Sequence, residues 1–167
     1  MDPIDAGPSD TGIDPDSLRN PGHPCLPELL GIQVNQADSG GVVCSMKVRE
    51  ALLAPNGYLH AASVVGLADT ACGYGTMVRL PEGARAFTTI ELKCNFIGTA
   101  AAGRLTCRAH PVHLGRLTQV WDASVRSEDK DKVIAHFRCT QMILFEDPHT
   151  SRDGSIQTGC GPEQGRV

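Results

Sequence analysis

Residues 60–79 read HAASVVGLADTACGYGTMVR, and this stretch decides the fold. Small and apolar residues occupy nearly every helical face, with no strict alternation. A run of that length and composition predicts a helix buried on most sides. Gly66, Gly73 and Gly75 are poor helix formers, so the reading requires another backbone packed close to them. Leu80-Pro81-Glu82-Gly83 ends the helix.

Strand signals flank it on both sides. Upstream, a short turn or helix around Pro27-Glu28-Leu29-Leu30 precedes GIQVNQ (31–36) and VVCSMKV (42–48), with the Gly-rich turn Ala37–Gly41 between them. Two β-rich runs around such a turn predict an antiparallel hairpin. Ala54-Pro55-Asn56-Gly57 is a loop of turn formers. Downstream come AFTTIELKCNFI (86–97), GRLTCRAHPVHL (103–114), LTQVWDASVRS (117–127) and VIAHFRCTQMILF (133–145). Alternation over 89–96 places Ile90, Leu92, Cys94 and Phe96 on one face. The charged run Ser127–Lys132 is a hairpin tip. Two strands, one long buried helix, then four strands predict an α+β fold, an antiparallel sheet of five to six strands wrapped around one central helix.

Composition bounds the rest. The 167 residues are 41% hydrophobic and 20% charged, which suits one globular domain. A formal charge of −4 argues against a nucleic-acid partner. Aromatics are only 4%, so aliphatic residues, Ala and Cys must fill the core. Residues 1–23 and 147–167 are rich in Asp, Pro, Gly and Ser and are expected to be disordered tails around a domain spanning 24–146. The acidic N-terminus is unlike a signal peptide, and no apolar run approaches the ~18 residues of a membrane helix. A soluble, cytoplasmic protein is expected. Five of the seven Cys (44, 72, 94, 107 and 139) lie in apolar segments, where they read as small buried hydrophobes in a reducing compartment. No metal site is expected.

Asp69 is the residue that points to chemistry. It sits within VVGLADTACG, the most apolar part of the helix. An ionised carboxylate there is costly unless it is paired, hydrogen-bonded or faces a cleft. A structural Asp bonding a backbone group satisfies that condition, and so does a general base lifted out of bulk water. At the helix start, Gly57-Tyr58-Leu59-His60-Ala61-Ala62-Ser63 brings unpaired N–H groups and the positive end of the helix dipole. Such groups polarise a carbonyl and hold an oxyanion. An ordinary cap is the alternative, with Asn56 and Ser63 as capping types.

The stretch N-G-Y-L-H-A-A-S-V-V-G-L-A-D-T-A, followed by T-T-I-E-L-K-C-N-F and later H-L-G-R-L-T-Q-V-W-D-A-S-V-R, resembles the phenylacetate-degradation and 4-hydroxybenzoyl-CoA group of hotdog thioesterases over about residues 40–146. That group carries G-x-x-H-G-G with an acid nine residues after the His, the spacing of His60 and Asp69. The resemblance implies an acyl-CoA thioesterase in which Asp69 is the nucleophile or general base. The Ala61 N–H then polarises the thioester carbonyl. Ala61 stands where the family has Gly, a change that keeps the N–H. The family's Asn or Gln six residues before the His falls on Ala54, leaving Asn56 as the nearest substitute. A recurring Ser or Thr four residues after the acid falls on Gly73. Thr89 falls where some members place a water-binding Ser. His60 is a candidate acid–base group, or a residue that holds the loop.

Gly57, Ala62, Gly73 and Arg116 are the candidate substrate contacts, with Arg79, Arg104 and Lys93 as further candidates for the CoA phosphates. No cofactor is implied, since coenzyme A belongs to the substrate. The family's dimers, often paired into tetramers, imply a homodimer or homotetramer with Ala61 from one protomer and Asp69 from the other. A hotdog dehydratase or hydratase, and a non-catalytic acyl-CoA-binding protein, are the alternatives.

Overall fold

Leu67, Ala68, Ala71 and Cys72 are wholly buried, as the composition of their segment requires. They belong to the long helix of a computed structural model that describes residues 25–146 together with Asp14 and Leu18. The elements are α1 (Leu26–Leu30), β1 (Gln33–Asp38), β2 (Gly41–Lys47), α2 (Ala61–Val78), β3 (Ala84–Phe96), β4 (Arg104–Leu114), β5 (Thr118–Ser127) and β6 (Lys132–Phe145). The six strands form one antiparallel sheet in the order β1-β2-β4-β5-β6-β3. Helix α2 packs across its inner face, touching every strand. The expected helix and six strands are all present.

Two turns follow local chemistry. The β1–β2 turn tightens to Ser39-Gly40, because the Asp38 side chain accepts a hydrogen bond from the Gly40 N–H at 2.8 Å. The charged β5–β6 tip spans Glu128–Asp131.

Side chains, not another backbone, crowd the helix glycines. A Cβ on Gly66 would lie 2.7 Å from Leu30 Cδ1, and one on Gly73 would lie 3.2 Å from Phe87 Cζ. At Gly75 it would lie 2.5 Å from Trp121 Cζ3. Trp121 has nowhere to retreat: it is buried, and its Nε1–H donates to Gln119 Oε1 at 3.0 Å. Gly75→Ala therefore gains about 1 kcal/mol of helix propensity but forces an overpacking cost of about 1–3 kcal/mol. The net cost of about 0–2 kcal/mol predicts a fall in Tm of up to ~8 °C in thermal denaturation. A higher Tm would show that the indole is free to move.

The inner row of β3 departs from strict alternation. A bulge lies between Thr89, which pairs with Gln141, and Glu91, which pairs with Thr140. Ile90 is the extra residue and is 53% exposed. Leu92, Cys94 and Phe96 pair with the buried Cys139, Phe137 and Ala135 and so share the helix side. Ile90 does not join that row; Thr89 takes the inner position instead. A bulge shifts the alternation by one residue and re-aims a side chain, here turning Thr89 toward α2. Because β3 is an edge strand, Leu92 (44% exposed) and Phe96 (48% exposed) remain uncovered.

Cys44, Cys72, Cys107 and Cys139 are buried within the core, whereas Cys25 and Cys94 are half-buried. All six are free thiols. Cys160 lies outside the described residues. Of the expected tails, only Asp14 and Leu18 are described. Leu18 is 8% exposed and belongs to the core cluster, because its apolar side chain has a buried face to join. The expected N-terminal boundary at residue 24 therefore misses one core residue. The other residues of 1–23, and all of 147–167, lie outside the described set.

Candidate active site

Asp69 occupies the third turn of α2, flanked by the buried Ala68 and Ala71. The Thr89 hydroxyl lies 3.2 Å from Asp69 Oδ1 and 2.9 Å from Gln141 Oε1. The Gln141 Nε2–H in turn donates to Cys139 Sγ at 3.3 Å. Burial pushes the Asp69 carboxyl above its usual range, and the Thr89 hydrogen bond opposes that rise. A carboxyl with raised proton affinity and a fixed hydroxyl beside it has the character of a general base. The β3 bulge is what brings Thr89 to it.

The helix N-terminus is built by a separate loop. Ala54 N–H donates to Tyr58 O at 2.7 Å, and Gly57 N–H donates to Ala54 O at 2.9 Å. Asn56 Oδ1 accepts from the Tyr58 N–H at 3.2 Å. Gly57 turns the chain at φ +81°, a conformation that favours glycine. The cap itself is His60, whose Nδ1 accepts from the Ala62 N–H at 3.0 Å. Of the two expected capping types, Ser63 is buried and donates to Leu52 O at 3.2 Å, and Asn56 serves the loop. His60 takes the Ala62 N–H and leaves the Ala61 N–H, at the first helical position, without an intrahelical acceptor.

A cleft of about 440 Å³ opens here, lined by Ala54, Asn56, His60, Ala61, Phe96 and Thr99 among others. Asn56, His60 and Ala61 are therefore brought together, with Gly57 and Ala62 adjoining in the chain. Asp69 and Thr89 do not line this cleft. Asp69 lies eight residue steps along the helix from Ala61, a rise of ~12 Å at ~1.5 Å per residue.

The remaining candidates are dispersed. Gly73 is buried beneath the Phe87 ring, which the absent side chain admits. Arg116 lies in the β4–β5 turn with its guanidinium 4.5 Å from the Phe145 ring centroid, a cation–π arrangement. Arg79 caps the far end of α2. Arg104 Nη1 donates to Ser45 Oγ at 3.0 Å and to Gln33 Oε1 at 3.2 Å. Lys93 lines a cleft of about 510 Å³ with Asn95, His110, Asp122, His136 and Arg138. That cleft is on the sheet face turned away from α2, and its Asp122–Arg138 pair closes at 2.5 Å. It is the larger cleft, but it contacts neither Asp69 nor the helix N-terminus. Among the described residues, no group of three or more His, Cys, Asp or Glu is placed to hold a metal.

Gln141 was not among the candidates. Its signal was present in β6, where Ala135, Phe137, Cys139, Gln141 and Ile143 alternate onto one face. A single amide in an otherwise apolar row marks a buried polar contact.

Comparison with known proteins agrees with this architecture. The family model described as the thioesterase superfamily matches residues 56–134. A protein of Listeria monocytogenes named 1,4-dihydroxy-2-naphthoyl-CoA hydrolase is 30% identical over 118 residues, spanning 71% of this chain and 94% of that protein. A solved structure of a mutant thioesterase from Pseudomonas aeruginosa superposes with a TM-score of 0.74 at 27% identity, covering 79% of this chain and 94% of that one. The PaaI protein from the phenylacetic acid degradation operon of E. coli gives a TM-score of 0.64 at 28% identity, over 71% and 83% of the two chains. With its single antiparallel sheet closed around one long helix, the chain belongs to the thioesterase superfamily: it has the hotdog fold and is a thioester hydrolase.

Proposed function

We propose that the chain hydrolyses acyl-CoA thioesters at a site shared between two protomers, with Asp69 from one and the Ala61 N–H from the other. The observation that carries this is the separation of the two groups along α2. One thioester carbonyl cannot touch both ends of a ~12 Å helical span, so a single chain holds two half-sites. The β3 edge supplies the means of joining them. Its backbone donors and acceptors are open on one side, and Leu92 and Phe96 are uncovered beside them. Exposed edges of this kind invite pairing. Antiparallel pairing of two β3 strands brings the Thr89 half of one beside the Phe96 half of the other, and thus Asp69 toward the partner's cleft.

In the general-base route, Asp69 takes a proton from a water whose oxygen attacks the thioester carbon. The oxyanion forms at the Ala61 N–H, the C–S bond breaks, and the CoA thiolate leaves to be protonated. In the nucleophilic route, the carboxylate attacks the carbon and expels CoA thiolate, and water then hydrolyses the mixed anhydride. His60 is the cap in either route, since its Nδ1 is engaged by the Ala62 N–H. That engagement disfavours a His-centred dehydratase.

The test is release of free thiol from a panel of aromatic and straight-chain acyl-CoA thioesters, read beside sedimentation. Turnover by a dimer or tetramer is expected. Full activity from a monomer at micromolar concentration overturns the shared site, and failure to release thiol from any member of the panel overturns the acyl-CoA assignment.

A further inference from the structure

The inner row of β6 is buried throughout, and Gln141 within it is 0% exposed. A buried amide needs partners for both its oxygen and its NH2 group. Here the oxygen lies 2.9 Å from Thr89 Oγ1, and the nitrogen lies 3.3 Å from Cys139 Sγ. The same Thr89 oxygen lies 3.2 Å from Asp69 Oδ1. Thr89 has one hydroxyl hydrogen and faces two acceptors, so it can serve only one of them at a time.

We propose that Gln141 is a positioning residue for the hydrolysis, its amide turning between two orientations to direct the Thr89 hydrogen and keep Asp69 satisfied in both protonation states. This rests on Asp69 being the catalytic carboxylate. When Asp69 is neutral, its O–H donates to Thr89 Oγ1 and Thr89 donates to Gln141 Oε1. When Asp69 is ionised, Thr89 donates to the carboxylate instead. Turning the amide over then presents Nε2–H to Thr89 Oγ1 and places Oε1 where the Cys139 S–H can donate to it. Every polar atom keeps a partner in both states, which matters because a buried polar group left without one is destabilising. A general base gains and returns one proton per turnover, so the chain of bonds reverses once in each direction. An apolar residue at 141 removes the reversal and leaves Thr89 free to rotate.

A double-mutant cycle tests this. In the 167-residue chain, Gln141→Met is expected to lower kcat ~10-fold with KM changed less than ~2-fold, and to have less than ~2-fold effect on kcat in a Thr89→Val background. Equal losses in both backgrounds, or a raised KM with normal kcat, overturn the proposal, because Gln141 then acts through packing. Should Gln141→Met fail to fold by circular dichroism, Gln141→Leu, which likewise removes both amide atoms, is read in the same cycle by the same criteria. Asp69→Asn is run alongside. If it retains turnover, the assignment of Asp69 is what fails; if it is inactive and the cycle is additive, only the role of Gln141 fails.

Discussion

Asp69→Asn is expected to lower kcat by at least ~10²-fold, the low end of what acid–base and nucleophilic groups contribute, while the fold survives intact. Asn has the same shape and can still accept from Thr89 Oγ1, the contact that orients the side chain at 3.2 Å. Stability should hold or rise. Burial raises the Asp69 carboxyl above its ordinary value in the folded chain, opposed by Thr89. A group raised in this way adds stability below the unfolded carboxyl's pKa, near ~3.9, and loses that contribution as pH climbs through the folded value. At neutral pH the ionised side chain therefore weighs against folding, and a neutral amide relieves it. Asp69→Glu keeps the carboxylate and is expected to retain partial activity. Thiol release and thermal denaturation, measured on the same preparations, check both halves. Near-normal turnover in Asp69→Asn together with its loss in His60→Ala would reassign the chemistry to the histidine.

Ala61→Pro should cost kcat/KM ~10²- to 10³-fold, the range for loss of one oxyanion donor. The substitution is informative because the backbone accommodates it. Ala61 is the first residue of α2, the helical position that proline favours. His60 before it is extended, at φ −65° and ψ 138°, as a residue preceding proline should be. The one group removed is the N–H itself, which serves no intrahelical bond. Ala61→Gly keeps that N–H and should be mild. A folded Ala61→Pro enzyme with unaltered kcat/KM would show that the carbonyl is polarised elsewhere.

The helix was legible because its composition admits no other reading: a 20-residue run with small apolar residues on most faces cannot form a solvent-facing strand. Structure trimmed it by one residue at each end, to 61–78, where His60 and Arg79 serve as caps. The strands were legible from alternation, and β3 shows where alternation stops being enough. Its bulge at Ile90 leaves no composition signal, yet it decides which of Thr89 and Ile90 faces the helix. Thr89 entered the candidates through family position, not through the pattern around it. The glycines of α2 were read as sites of backbone approach, whereas their partners are Leu30, Phe87 and Trp121, whose nearness depends on tertiary packing. Within the candidate site, Asn56, His60 and Ala61 line one cleft because one loop holds them at the helix start. Asp69 lies outside that cleft, as its spacing of eight residues along a helix from Ala61 requires.

The buried thiols give the folded chain a chemical clock. Thiol reagents react with the thiolate; burial pushes the Cys44 thiol up to about 12 and the Cys107 thiol well above its ordinary value, and a hydrogen bond with Cys139 together with burial does the same for Cys72. Together with the equally buried Cys139, these groups stay silent toward a disulfide dye while the core is closed. In a thiol-release assay the protein's own background then comes from the few accessible cysteines, Cys25 and Cys94 among the described residues. Labelling of the other four reports opening of the core itself, so the same reagent that counts product also times unfolding.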